Sequence, residues 1–282
     1  MEFTYMTEEE GLPVEKLLRD RWRLGRKTVH ELRMADSVKL ADGSQIRWNE
    51  PLQAGTALSI RLPESKSDYI PEIGELDVVH EDPHCLIVHK PASLAVHPNE
   101  PGGTGTLMNR VISRFGPYAE HVHRLDKGTS GLVLVARHPV AKAVFDRMLE
   151  EKAIRRTYVA ETAGPFKKQS GTVSAPIGRD RHHATRRRVS PSGQHAVTHY
   201  KVIGGSGSRA IIELELDTGR THQIRVHLAH LGHPIIGDVL YGGRPSPDGS
   251  YRLHAAKLSF LHPFTGELLD AEDPLRPEWL LS

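Results

Sequence analysis

The residues from His121 to Gly131 (HVHRLDKGTSG) bring Arg124, Asp126 and Lys127 together, ahead of a Gly-Thr-Ser-Gly turn that runs into an apolar segment. A carboxylate at the mouth of a buried strand is partly desolvated, and a nearby cation favours its charged form. It can then serve as a nucleophile or a general base. The same residues also suit a surface Arg–Asp pair followed by a turn. A second segment, Thr218 to His227 (TGRTHQIRVH), crowds Arg220, His222, Gln223 and Arg225 at the start of a helical pattern. Free backbone N–H groups there suit anions, and arginine is a natural fork for a carboxylate; a capped helix with solvated arginines is the other reading. Tyr158 stands beside Arg155 and Arg156 at a strand start. A tyrosine so placed is either packed in a sheet or free to stack on a nucleobase.

Other chemistries fit less well. His227, His230 and His233 are three residues apart, but there is no HExxH motif and no local cysteine or carboxylate to complete a zinc site. Gly128-Thr-Ser-Gly131 lacks the G-x-S-x-G spacing of a nucleophile elbow. The Gly102-Gly103 and Gly204-Gly205 pairs make neither a dinucleotide nor a P-loop fingerprint. Cys85 is the only cysteine, so an intramolecular disulfide and a multi-cysteine zinc site are both excluded, which suits a reducing cytosol. A net charge of +2 does not announce a nucleic-acid binder. Between Arg179 and Arg188, however, five arginines accompany one acid, a cluster that is either a solvated surface or a phosphate grip. No apolar run reaches the roughly 18 residues of a membrane span, and the acidic start MEFTYMTEEEGLP has no secretory pattern.

The elements that must position these groups are readable in outline. Residues 1–65 read as a small unit: Leu12, Val14, Leu17, Leu18 and Trp22 lie near helical spacing, Val29 and Leu32 mark a second helix, and Asp42-Gly43 signals a hairpin. Ile46, Leu52, Leu58, Ile60 and Leu62 could then supply small strands, and Pro63 to Pro71 reads as a linker. A larger domain covers 73–282. Strands are expected at 86–88, 132–136, 156–161, 197–203, 211–216 and from Leu253. Helices are expected at 106–115, through Val140 to Leu149, and from Thr221 until Gly232. Strands outnumber helices and several are sequence neighbours, which predicts an α+β fold with a mixed, largely antiparallel sheet.

Taken in order, the motifs resemble those of the RluA/RluD-type pseudouridine synthases. They are Lys90-Pro91 with His97-Pro98, HRLDKGTSG at 123–131, RRTYVA at 155–160, GRTHQIRVHLAHLGHPIIGD at 219–238 and LHAAKLSFLHP at 253–263. The resemblance implies a pseudouridine synthase catalytic domain preceded by a small αL-type RNA-binding domain. It implies that Asp126 is the catalytic carboxylate, Arg225 its partner and Tyr158 the tyrosine against the target base. Arg124 would help push the nucleotide out of its stack and Leu253 would line the uracil pocket, with Arg220 and His222 at the same site. The reaction detaches uracil from C1′, turns it and rejoins it through C5, so no cofactor is expected. The base must first leave its stack, after which Asp126 would attack the sugar or take a proton from it. Tyr158 could stack on uracil and help remove the C5 proton. The expected partner is RNA, ribosomal RNA of the large subunit first and transfer RNA second, with the protein a cytoplasmic monomer. The rival readings are a non-catalytic RNA-binding or ribosome-assembly protein, which would have to lack Asp126, Tyr158 or Arg225, and a hydrolase using the histidine-rich helix. The sequence departs from the family pattern in the N-terminal unit at Ala41-Asp42-Gly43 and at acidic Glu8 to Glu10, and elsewhere at Arg156 and Gln194, neither of which touches the implied chemistry.

Overall fold

In this computed structural model, which describes residues 1–246, 249–275 and 277–281, the N-terminal part opens with β1 (Glu2–Met6). Then come α1 (Val14–Lys16), a π-type turn over Leu17–Arg21, α2 (Arg26–Met34), β2 (Val38–Leu40) and β3 (Ala57–Arg61). β1 and β2 both pair antiparallel with β3. The turn at Asp42-Gly43 forms, with Asp42 Oδ1 accepting the Ser44 amide at 2.8 Å, but it does not close a hairpin. The partner of β2 begins only at Ala57. The intervening chain folds back instead, so that the Glu15 amide donates to the Trp48 carbonyl and the Gly11 amide to that of Leu52. Ile46 and Trp48 thereby pack on the core rather than in a strand. β1 carried no signal strong enough to predict it.

The larger part contributes β4 (Asp77–Glu81), β5 (Cys85–Lys90), α3 (Leu107–Phe115), β6 (Glu120–His121), β7 (Ser130–Ala136) and α4 (Pro139–Glu150). After them follow β8 (Arg155–Ala163), β9 (Ser170–Ser174), β10 (Ile177–Arg179), β11 (Arg187–Val189), β12 (Val197–Gly204), β13 (Arg209–Leu216) and α5 (Gln223–His230). β14 (Leu253–Leu261), β15 (Leu268–Glu272) and α6 (Glu278–Leu281) complete the described chain. One sheet runs in the order β4-β5-β7-β14-β8-β13-β12-β9, with β6 on β7 and β15 on β14. Among the described strand pairs only β7–β14 is parallel, so the fold is α+β with a mixed, mostly antiparallel sheet, as predicted.

That parallel seam is short, with His254 opposite Ser130 and Ala255 opposite Gly131. Gly131 has φ +109°, and a Cβ there would lie 2.2 Å from the Ala255 carbonyl oxygen. A side chain would therefore push the two strands apart. Along β5 and β7 alternate residues face opposite layers. Leu86, Val88, Val133 and Val135 pack with residues of α3 and α5, whereas Ile87, Leu132 and Leu134 pack with α4 and the N-terminal part.

The N-terminal part shares this second core. Phe3 and Trp22 meet Phe264 with ring centroids 5.9 and 5.1 Å apart, and His84 stacks on Phe264 at 4.2 Å. The segment 63–71, expected as a linker, is irregular but tied down. Ser67 is buried, its hydroxyl donates to the Ala119 carbonyl at 2.7 Å, and Tyr69 Oη lies 3.0 Å from Glu120.

Candidate active site

Asp126 sits in the loop between β6 and β7, where the Thr129 amide donates to the Asp126 carbonyl and closes a turn. The glycine within that turn has a steric reason. A Cβ on Gly128 would lie 2.6 Å from the Tyr251 ring, so only glycine lets this ring close under the loop. From below, Lys90 is fully buried and its Nζ donates to the carbonyls of Pro91 (2.9 Å), Leu94 (2.8 Å) and Lys127 (3.2 Å). Burial pushes this amine down to about 7, opposed by the charge of Asp126. The three carbonyl contacts match the three N–H donors of an ammonium, and they fix the loop on both sides of the site.

Arg225, on α5, organises the carboxylates. Its Nη1 donates to Asp126 Oδ2 at 3.1 Å, while Nε and Nη2 donate to the two oxygens of Asp238 at 2.7 and 2.8 Å. The Asp238 contact is bidentate and buried, with side chains only 7% and 1% exposed. The guanidinium is also sandwiched, 4.4 Å from the Tyr251 ring centroid and 4.9 Å from that of Tyr241. Despite burial, its hydrogen bonds to Asp238 and the nearby acidic groups raise its pKa above the ordinary arginine value. Arg225 therefore presents one edge to Asp126 from a fixed mount.

His222 precedes α5 in a left-handed conformation, φ +60°, so the helix starts two residues later than the predicted Thr221. This turn brings His222 Nε2 to 3.8 Å from Asp126 Oδ2. Its Nδ1 lies 2.7 Å from the Tyr241 hydroxyl, which also accepts the Arg187 amide at 2.9 Å. Burial lowers the His222 pKa, with Asp126 opposing and Arg225 assisting. A neutral ring that accepts the tyrosine proton at Nδ1 carries its own N–H on Nε2, the nitrogen facing Asp126.

These groups wall a cavity of about 550 Å³. Arg124, Asp126, Tyr158, Arg220, His222, Arg225 and Leu253 all line it, so the structure gathers every site residue expected from the sequence. Tyr158 and Leu253 are 5% and 4% exposed and sit on β8 and β14, next to the seam. Burial raises the Tyr158 pKa, partly offset by Arg156. Arg220 is held at the rim by its Nε–H donating to the His195 carbonyl at 3.1 Å. Sequence reasoning missed Asp238, Tyr241 and Tyr251. Asp238 closes the run GRTHQIRVHLAHLGHPIIGD and could have been singled out as a carboxylate for the Arg225 fork; nothing local marks the two tyrosines as its stacking partners.

Among the described residues, no cluster of metal-ligand side chains includes the histidine-rich helix. His227 is fully buried, with Nδ1 2.8 Å from Thr198 Oγ1 and Nε2 2.9 Å from the Ala175 carbonyl. His233 stacks on Phe166 at 3.8 Å. Both rings are structural.

A parallel strand pair in a mostly antiparallel sheet borders a cavity in which an arginine-mounted aspartate stands beside a buried tyrosine. A profile described as RNA pseudouridylate synthase matches residues 84–230, and one for the RluD ribosomal pseudouridine synthase N-terminal domain matches 1–58. An uncharacterized RNA pseudouridine synthase, YhcT of Bacillus subtilis, is 44% identical over 97% of this chain and 93% of its own length. Ribosomal large subunit pseudouridine synthase D of Haemophilus influenzae is 36% identical over 87% of this chain and 82% of its own. Among solved structures, human RNA pseudouridylate synthase domain containing 1 superposes with a TM-score of 0.60 at 27% identity, covering 77% of this chain and 89% of that one. The chain belongs to the RNA pseudouridine synthase family. It is an isomerase that acts on RNA.

Proposed function

We propose that this enzyme converts uridine to pseudouridine in large-subunit ribosomal RNA, with Asp126 as the carboxylate that acts on the ribose. The observation that carries the assignment is the mounting of Asp126: one edge of a buried Arg225 faces it at 3.1 Å while the other is locked on Asp238. In the reaction the C1′–N1 bond breaks and a C1′–C5 bond forms, the proton leaves C5 and N1 gains one. Tyr158 and Leu253 confine the detached base. Tyr158, whose pKa burial raises, serves as the wall on which uracil stacks and turns. Arg124 and Arg220 sit where an extruded nucleotide would enter.

The RNA outside the pocket meets two basic surfaces. The β10–β11 hairpin carries exposed Arg179, Arg181, Arg186 and Arg188. It reaches the site, since the Arg186 guanidinium lies 5.7 Å from the Tyr241 ring centroid. Lys16, Arg19, Arg26 and Lys27 are exposed on the N-terminal helices, in the segment 1–65 that we assign as an αL-type RNA-binding domain ahead of a catalytic domain at 73–282. Arg23 pairs with Glu151 at 2.5 Å, one residue from the cavity-lining Glu150 and Lys152. Phosphate contacts of this kind position an RNA without reading its sequence. The named large-subunit relatives support ribosomal RNA as the substrate. We further assign the enzyme as a cytoplasmic monomer, which light scattering and cell fractionation would check; no described helix is long and apolar enough to cross a membrane.

The test is Asp126→Asn. Pseudouridine mapping of total RNA with and without the gene should show one or a few missing sites in large-subunit ribosomal RNA, restored by the wild type and not by Asp126→Asn. Restoration by the variant would overturn the role of Asp126, and a site lost only from transfer RNA would overturn the substrate.

A further inference from the structure

Besides the Arg225 mount, a second chain of polar contacts runs toward Asp126, and it begins at the basic β10–β11 hairpin. The backbone amide of Arg187, the first residue of β11, donates to Tyr241 Oη at 2.9 Å. The same hydroxyl lies 2.7 Å from His222 Nδ1. Across the imidazole, Nε2 stands 3.8 Å from Asp126 Oδ2. We propose that Tyr241 and His222 are positioning residues that couple the docking of RNA on the β10–β11 hairpin to the aim of Asp126. The coupling rests on the reading of Asp126 as the catalytic carboxylate and of this hairpin as an RNA contact.

The direction of each hydrogen bond follows from its donor. A backbone N–H can only donate, so Arg187 takes an acceptor position on Tyr241 Oη. Among the described residues, the other hydrogen-bond partner of that hydroxyl is His222 Nδ1, and the phenol proton goes there. Burial is the largest influence on the imidazole and favours its neutral form; Asp126 and Asp238 oppose it, and the Arg225 and Arg187 guanidinium groups support it. With Nδ1 accepting, the ring proton sits on Nε2, the nitrogen that faces Asp126. A separation of 3.8 Å is about 0.9 Å too long for a hydrogen bond, so the last link is open in this structure. Catalytic hydrogen bonds often tighten only once substrate is bound. Arg225 Nη1 already donates to the same Oδ2 at 3.1 Å. Closing the second link puts two donors on Oδ2 and leaves Oδ1 for the ribose. No proton travels along the chain, which transmits position alone.

The hairpin is placed to pass a movement on. β10 and β11 pair with each other in a sheet of their own, apart from the main sheet. Ile177 of β10 packs with Ala196, Val226 and Tyr241 in a small cluster separate from the two larger cores, so few buried apolar contacts hold the hairpin down. Its exposed arginines are the groups that phosphates would neutralise. Arg186 and Arg225 both lie over the Tyr241 ring, 5.7 and 4.9 Å from its centroid. A shift of the hairpin therefore reaches Tyr241 through the Arg187 amide, the Arg186 guanidinium and the packing of Ile177. His222 receives it in a left-handed conformation, φ +60°, which a non-glycine residue keeps only where its surroundings enforce it.

The test is single-turnover tritium release at saturating enzyme, with filter binding for affinity. The substrate is large-subunit ribosomal RNA labelled at C5 of uracil and prepared from cells lacking the gene. Tyr241→Phe keeps the ring beside Arg225 and removes the hydroxyl. Its rate should fall about tenfold, the worth of one hydrogen bond, with affinity within about twofold of wild type. The His222 variants read the same link without disturbing the packing of Tyr241. His222→Ala should lose about as much rate, and His222→Gln, which keeps an N–H donor near the place of Nε2, should recover at least about threefold of it. Replacing Arg181 and Arg188 together by Ala should weaken RNA binding and also lower the saturated rate about threefold; in the Tyr241→Phe background it should weaken binding alone. A wild-type rate in Tyr241→Phe would overturn the coupling. So would equal rates in His222→Ala and His222→Gln, or an arginine effect on rate that is undiminished in Tyr241→Phe. Turnover by Asp126→Asn would instead remove the reading of Asp126 on which the coupling rests; with Asp126→Asn inactive, a wild-type rate in Tyr241→Phe refutes the coupling by itself.

Discussion

Asp238→Asn separates the mount of Arg225 from the carboxylate it serves. The substitution keeps the shape but replaces one acceptor oxygen with an NH₂ group. Asp238 accepts from Arg225 Nε at 2.7 Å and Nη2 at 2.8 Å; the amide can accept only one of these, and its NH₂ faces another N–H. One charge-assisted hydrogen bond, worth about 1.5–3 kcal/mol, is lost. If that loss appears in the positioning of Asp126, the rate of the chemical step falls about 10- to 150-fold, at 1.36 kcal/mol per factor of ten. The fold is weakened too: breaking a buried pair costs about 3–5 kcal/mol. Because the amide keeps one bond and the stacking on Tyr241 and Tyr251 remains, the low end applies, a fall in Tm of roughly 6 °C. The assay is single-turnover release of tritium from RNA labelled at C5 of uracil, alongside RNA affinity by filter binding. A positioning role predicts a slower chemical step with affinity within about twofold of wild type. A rate within about threefold of wild type would refute the reasoning, and so would an equal loss in affinity and no loss in rate.

Arg225→Lys keeps a cation but cannot span Asp126 and Asp238 together; the tritium-release rate should fall at least about 100-fold, at two or more such factors of ten, and near-wild-type turnover would remove Arg225 from the mechanism. Acid should unfold the protein through its buried histidines. Burial pushes His123 and His138 down to about 3 and His121 to about 4. Their folded pKa values lie below the unfolded value of about 6.5, so the unfolded chain binds more protons in that window, and stability is complete above pH ~6.5 and lost as pH falls toward 4, at about 1.4 kcal/mol per pH unit for each ring. Urea titrations at pH 7, 6 and 5 check this, and a midpoint that does not move would contradict it. Phe264→Ala should cost about 3–5 kcal/mol, and because Phe264 meets both Trp22 and His84, tryptophan fluorescence and far-ultraviolet circular dichroism should still report one shared transition. Two separate transitions in the wild type would show that the N-terminal part melts on its own.

The sequence made the candidate site residues legible because each stands in a short ordered motif, and one cavity gathers them all. It made the long central elements legible because α4 and β13 are periodic and β7 is a compact apolar run. Three kinds of feature stayed hidden. The short strands β9, β10 and β11 hold only a few residues each, too few to establish a period. β1 was not predicted as a strand, although Phe3 and Tyr5 alternate inward at 8% and 1% exposure. The hairpin expected at Asp42-Gly43 failed because turn chemistry says that the chain reverses, not which strand it meets next; Ile46 and Trp48 gained more by packing on the core.

The stacking partners of Arg225 were hidden for a different reason, and it bears on how the site works. Tyr241 ends a single 3-10 turn (Val239–Tyr241) and Tyr251 lies in irregular chain before β14, both contexts too short to show a period. What orders the stretch between α5 and β14 is a set of close backbone approaches. A Cβ on Gly237 would lie 2.0 Å from the Ser250 carbonyl oxygen, and one on Gly243 would lie 2.0 Å from that of Ile235. The stretch is therefore folded tightly on itself, and it delivers Asp238 and both rings to one guanidinium. His222 adds a left-handed residue at the helix start, a conformation that costs about 1–3 kcal/mol where the side chain is not glycine. That cost is offset by the bond to Tyr241 and the approach to Asp126. The proposed reaction needs a carboxylate that stays aimed while a free uracil turns beside it. Rigidity is concentrated in Arg225 and its mounts, and Tyr158 and Leu253, the walls proposed to touch the base, are left with few fixed polar contacts.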